Sequence, residues 1–198
     1  MNIDIHTATF HIRTIQSSDK DIFMGLRGET SDVAKAYQLY PGFAEYSWQA
    51  TLADENEIDM VVFQEKDDAF VAICSFQLSH ANHVELGYDV MKEYRGRGIG
   101  TKLLGDLTAL AHMTFPDKDA LVRIRTNNIA SQRVAEKCGG KFLKTEPTPE
   151  AVAMQRELER YNHRAECEHS TVLTEQDIIS MKSIVERGRE GVRIYKLP

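Results

Sequence analysis

Two kinds of apolar spacing alternate along the 198-residue chain, and each predicts its own element. Phe10 to Thr14 alternates like a short edge strand. Ser18 followed by Asp21 makes a capping-box pattern, which predicts a helix with Ile22, Phe23 and Leu26 on its apolar side. A second helix is expected from Ser31, carrying Val33, Ala36, Tyr37 and Tyr40 and stopped by Pro41 and Gly42. Ser47 to Glu57 fits either a loop or a further short helix. Two strand-like runs follow, Asp59 to Gln64 and Ala69 to Leu78. Lys66, Asp67 and Asp68 form the turn between them, so the pair predicts an antiparallel hairpin. His83 to Met91 is expected to pair with its second arm.

The period then lengthens. Thr101 to Met113 places Leu103, Leu104, Leu107, Leu110 and Ala111 at helical spacing. Leu121 to Thr126 alternates as a strand, and Ile129 to Cys138 reads as a helix closed by Gly139 and Gly140. Phe142 and Leu143 open another strand. Two helices are expected between Glu150 and Arg189. Ala151, Met154, Leu158 and Tyr161 mark the first. Thr174 and Asp177 cap the second, which carries Ile178, Met181, Ile184 and Val185 and stops at Gly188. Val192 to Leu197 is a last strand. The order implies an α/β (α+β) fold: a mixed, mostly antiparallel central sheet flanked by helices. A strand after two helices normally rejoins its sheet. Residues 1–198 therefore read as a single domain, with 150–189 as a two-helix insertion.

Composition narrows the function. The apolar fraction of 42% supports a sizeable core, while the longest apolar runs are strand-length and too short for a bilayer. A formal net charge of -6 argues against nucleic acid and suits a basic partner. Cys74, Cys138 and Cys167 are too few and too scattered for a disulfide framework. With no targeting pattern in the first residues, a cytoplasmic location is expected.

The most specific stretch is YDVMKEYRGRGIGTKLL, from Tyr88 to Leu104. Arg95, Gly96, Arg97, Gly98, Ile99 and Gly100 lie between a strand and a helix, where backbone N–H groups and the helix dipole make an anion site. A nucleoside-triphosphate loop would end Gly-Lys-Ser/Thr, but the order here is Gly100, Thr101, Lys102. A dinucleotide site requires an acid on the following strand, which Leu121 to Thr126 lacks. A tight surface turn is the remaining structural reading.

Arg95 to Gly100 resembles the Arg/Gln-x-x-Gly-x-Gly/Ala signature of the GNAT (GCN5-related N-acetyltransferase) superfamily. NNIASQRVAEKCGGKF resembles the later helix of its ribosomal-protein-acetyltransferase-like branch. The resemblance covers roughly Phe10 to Thr145 and implies a splayed parallel strand pair forming an acyl-CoA cleft. It implies that Val90 and Met91 pair with the pantetheine amides and that Arg95 to Gly100 receive the pyrophosphate. Gly98, Gly100 and Thr101 would donate N–H groups, with Arg97 as a further phosphate contact. Asn128 and Ser131 would hold the pantetheine arm and Arg133 the 3′-phosphate. Asn128 as a plain helix cap and Arg133 as a solvated helix residue are the competing readings.

An acetyl-CoA-dependent transfer to an amine needs a proton acceptor. Glu85 is the expected base, because it shares a strand face with Gly87 and Asp89 and the family carries its glutamate base on this strand. Asp89 is the reserve. Many relatives protonate the departing thiolate with a tyrosine at a position that is Ala135 here. Cys138, at a helix C-terminus, and Cys74, in an apolar strand, read as packing residues. Direct transfer is therefore expected over an acyl-enzyme. His163, Cys167 and His169 are too few for a zinc site, so no metal is expected. The acceptor would be met by Glu29 to Glu57 and Glu150 to Arg189. The aromatic residues Tyr37, Tyr40, Phe43, Tyr46 and Trp48 read as core. The rival functions are a noncatalytic acyl-CoA-binding module and an interaction scaffold. The final helices can also serve as a homodimer contact.

Overall fold

The computed structural model describes residues 1–30, 40, 42–167, 174–189 and 191–198. The expected helix from Ser31 lies almost wholly outside these residues. The described residues hold eight strands: β1 (Asp4–His6), β2 (Phe10–Thr14), β3 (Glu57–Gln64), β4 (Phe70–Gln77), β5 (His83–Val90), β6 (Asp119–Arg125), β7 (Lys141–Glu146) and β8 (Val192–Lys196). The described helices are α1 (Lys20–Thr30), α2 (Phe43–Ala53), α3 (Ile99–Thr114), α4 (Ile129–Lys137), α5 (Pro149–Cys167) and α6 (Glu175–Gly188). The strands order as β1-β2-β3-β4-β5-β6-β8-β7. β1 to β5 form an antiparallel meander, whereas β5 and β6 are parallel. Among the described residues, no helix is long and apolar enough to cross a membrane.

Contacts divide the chain into two compact units. The first comprises 1–122, 133–141 and 196–198, and the second 123–132 and 142–195. In the first unit, Phe23, Met24 and Leu26 of α1 and Trp48 of α2 bury against Val61 and Ile73. Strand alternation turns the next positions to the other face, where α3 packs on β5 and buries Leu103, Leu104 and Leu107. In the second unit, α5 packs against α6. Gly188 permits a close approach there, since a Cβ at this position would lie 2.5 Å from the Ala151 Cβ. Thr174 and Asp177 make the expected capping box on α6.

Three expectations change. Phe10 to Thr14 is not an edge strand, because β1 pairs outside it. Ser18 and Asp21 do not open α1. A 3-10 turn over Ser17–Asp19 precedes the helix, and the Gln16 N–H donates to Asp19 Oδ2 at 2.7 Å. Arg13 also holds Asp19 in that turn through two bonds, at 2.7 and 2.8 Å. The stretch from Ser47 to Glu57, left open between loop and helix, belongs largely to α2, which begins earlier, at Phe43 behind Gly42 at φ 89°.

Burial opposes ionisation of Asp19, but the Arg13 bonds and the Gln16 N–H outweigh it and hold its carboxyl below the ordinary range. That contribution is full above the unfolded carboxylate pKa and disappears as pH falls through the lower folded value. Arg13→Met should therefore cost about 3 kcal/mol at neutral pH by leaving a buried carboxylate unpaired. Urea unfolding should show the deficit shrinking in acid, whereas a deficit independent of pH would contradict this role.

Candidate active site

The Gly-rich stretch has the backbone that an anion needs. Gly96 and Gly98 have φ of 75° and 80°, a region open to glycine at little cost. Gly98 is the N-cap of α3, with no side-chain capping bond and no acidic residue in the first turn. The next helical bond runs from the Lys102 N–H to the Gly98 carbonyl. The first-turn N–H groups of Ile99, Gly100 and Thr101 thus meet no capping side chain at the positive end of a 16-residue helix. Arg97 lies over the Tyr94 ring at 6.0 Å. Arg95 Nε donates to the Val90 carbonyl at 2.8 Å, tying the loop to the end of β5. The Met91 N–H is engaged by the Val71 carbonyl, and the Met91 carbonyl accepts from Tyr94 N–H.

Cross-strand register places the carboxylates. Glu57, Gln77 and Glu85 form one row, Asp59, Ser75 and Gly87 the next, and Val61, Ile73 and Asp89 a third. All face α1, since Val61 and Ile73 belong to its core cluster. Glu85 is buried, with Oε1 3.4 Å from His80 Nε2 and 3.5 Å from His83 Nε2. Glu57, Asp59, Gln77, Tyr88 and Asp89, together with Arg27, line a cavity of about 190 Å³. A Cβ on Gly87 would come within 2.9 Å of Ser75 Oγ, so the glycine leaves the middle row open. A second cavity of about 410 Å³ shares Glu57 and Asp59 and adds Asp54 and Glu55.

Asp59 escaped the sequence reading. Burial, then the charge of Glu57, pushes its carboxyl up to about 7; Asp54 adds to this and Arg27 opposes it. The available signal was an acid inside the apolar run EIDMVV, where a charge is costly.

The remaining expected residues are placed as follows. Asn128 Oδ1 accepts from the Ser131 N–H at 3.1 Å, so the cap reading holds for that atom. Asn128 and Arg133 are exposed, and Ser131 is partly so. Ala135 is fully buried. Cys74 is buried and its thiol is pushed far up by burial, and burial also raises Cys138, whose Sγ lies 3.3 Å from the Thr101 carbonyl. Neither favours the thiolate that an acyl-enzyme requires. Trp48 is core, as expected, but Tyr40, Phe43 and Tyr46 are exposed. Tyr37, His169 and the side chains of His163 and Cys167 lie outside the described residues.

The raised Asp59 has a signed consequence. Between the unfolded carboxylate value of about 4 and the folded value, the native state holds a proton that the unfolded state has lost. Stability should fall through that window by up to about 1.4 kcal/mol per pH unit, then level off. Asp59→Asn should flatten the fall and be more stable than the parent at pH above the folded value. Thermal unfolding against pH reads this, and an unchanged slope would contradict it.

The comparisons agree with this geometry. The sequence model of the GNAT acetyltransferase domain matches residues 9–141. The chain has no significant match among curated proteins. The ribosomal L7/L12 α-N-protein acetyltransferase RimL, solved with coenzyme A, aligns at TM-score 0.64 and 13% identity, covering 99% of this chain and 97% of that one. A spermidine N-acetyltransferase from Vibrio cholerae, solved with CoA and spermine, aligns at 0.62 and 12%, covering 96% of each. A domain from Methanocaldococcus jannaschii aligns at 0.55 and 23%, covering 69% and 90%. The chain belongs to the GNAT acetyltransferase family and is an acetyl-CoA-dependent N-acetyltransferase.

Proposed function

We propose that this enzyme moves the acetyl group directly from acetyl-CoA to a cationic primary amine, using Glu85 as the base. The observation that carries the reading is the set of carboxylates on one sheet face, where Glu57, in the row of Glu85, and Asp59 and Asp89, one and two rows away, line a cavity. Such a cavity attracts an ammonium group, and removal of one proton then exposes the nitrogen lone pair. Polyamines fit this charge, and spermine occupies a structure of the same fold.

At the other end, the amides of Gly98, Gly100 and Thr101 would receive the pyrophosphate, with Gly96 and Ile99 shaping the turn and Arg97 adding charge. Arg95 would act mainly by fixing Val90, whose backbone would meet the pantetheine amides; Met91, with its N–H bound to Val71 and its carbonyl accepting from Tyr94, would offer only the second lone pair of that carbonyl. Asn128 and Ser131 keep the proposed pantetheine role and Arg133 the 3′-phosphate. The neutral amine attacks the thioester carbonyl while Glu85 takes its proton. Collapse of the tetrahedral intermediate breaks the carbon–sulfur bond, and the CoA thiolate leaves without the tyrosine that Ala135 replaces. Residues 1–198 are read as a single acyltransferase domain carrying an insertion at 150–189.

Glu85→Gln should lower kcat for an efficiently acetylated polyamine by about 10²-fold. Acetyl-CoA affinity and the amine KM should stay near the parent values, because shape and uniform binding survive. Steady-state release of free CoA measures the rate and calorimetry the affinity. An unchanged kcat would remove Glu85 from proton transfer and leave Asp89 or Asp59 as candidate bases.

A further inference from the structure

We propose that His80 Nε2, His83 Nε2 and Glu85 Oε1 form a three-ligand site for zinc(II), whose occupancy withdraws Glu85 from catalysis. The site stands on its own geometry; only the inhibitory consequence rests on Glu85 being the base.

The spacing separates a metal site from a hydrogen-bonded pair. The two imidazole nitrogens lie 3.4 and 3.5 Å from the same carboxylate oxygen, beyond the usual 2.7–3.2 Å of an N–H···O bond. Zinc binds histidine nitrogen and carboxylate oxygen at about 2.0–2.2 Å, and a tetrahedron on such bonds has edges of about 3.3–3.6 Å. All three ligand atoms lie within 4.8 Å of one another. The two rings are nearly parallel, 20° apart with centroids at 4.2 Å, so both present Nε2 to Glu85. Two imidazoles and one carboxylate suit zinc better than magnesium or calcium, which favour oxygen ligands.

The backbone fixes this arrangement. His83 and Glu85 are two residues apart on β5 and project from the same face. His80 comes from the preceding turn, which three bonds hold. Leu78 N–H donates to the Asn56 carbonyl at 2.7 Å, and Asp119 N–H to the Asn82 carbonyl at 3.1 Å. Lys118 Nζ donates to the His80 carbonyl at 3.0 Å. The His80 side chain is 47% exposed and Glu85 only 10%, which gives an ion an entry from solvent and a poorly solvated anchor. Three protein ligands leave a fourth position for water. Binding of Oε1 to the cation withdraws charge from the whole carboxylate, Oε2 included, and so lowers its basicity toward an incoming ammonium.

Cobalt(II) replaces zinc in such sites and shows intense visible bands when four-coordinate. The titration is run in a His6→Gln, His11→Gln background, because Asp4, His6 and His11 form a second possible ligand group. One equivalent of cobalt should give tetrahedral bands that zinc displaces. His80→Gln and His83→Gln should each weaken binding at least about tenfold. Because His80 is the exposed ligand, its variant carries the test if the other fails to fold. Zinc should also inhibit acetyl transfer, chelation should reverse this, and His80→Gln should shift the inhibitory concentration in step with affinity. Binding that depends on both histidines without inhibition would uphold the site and contradict the base assignment. No tetrahedral bands, or bands that survive both substitutions, would overturn the site.

Discussion

A helix that begins on a bare glycine leaves first-turn N–H groups facing outward, and this constraint organises the functional half of the structure. Gly98 supplies φ of 80° and no side chain, so α3 starts without a cap that would compete with a ligand. The helix is anchored from behind by Leu103, Leu104 and Leu107, which are fully buried. It is anchored from the front by Arg95, which holds the end of β5 through the Val90 carbonyl. The loop therefore has a fixed shape at both ends, and the polar groups between them can be preorganised for phosphate oxygens.

β5 has one electrostatic character along its side and the opposite one past its end. Past its C-terminal end, backbone amides and arginines favour an anion. Along its α1-facing side, Glu85 and Asp89 share the surface with Glu57 and Asp59 and favour a cation. This separation suits a reaction between an anionic acyl donor and a cationic amine. On the proposed reading, β5 and the turn before it would hold both a base, Glu85, and, with His80 and His83, a means of occupying that base.

Much of this was legible in the residues. The hairpin turn is held by Asp68 at φ 53° where Lys66 to Asp68 predicts it, and the Gly-rich motif lies between a strand and a helix as expected. Other features depended on contacts that no short window contains. β1 is three residues of mixed polarity, Asp4 to His6, and gains strand character only by pairing with β2. The start of α1 differs because a 3-10 turn precedes it, with Asp19 bound by Arg13 on β2. Asp59 is a common residue type in the sequence. Its raised pKa follows from burial beside Glu57, which becomes apparent only when β3 is packed. The histidine pair was missed because His80 lies in a turn and joins His83 only when that turn folds back.

The central claim is that the Gly98 end of α3 receives the pyrophosphate of acetyl-CoA, and binding calorimetry on the parent and on Gly98→Asp tests it directly. The space at Gly98 is open, with nothing within 4 Å of an added Cβ, and aspartate is among the residues that tolerate positive φ. The substituted carboxylate would lie among amides meant for phosphate and repel it. The account predicts a folded variant whose acetyl-CoA affinity falls by at least about tenfold, roughly 1.4 kcal/mol. A folded Gly98→Asp protein that binds acetyl-CoA as tightly as the parent would contradict it.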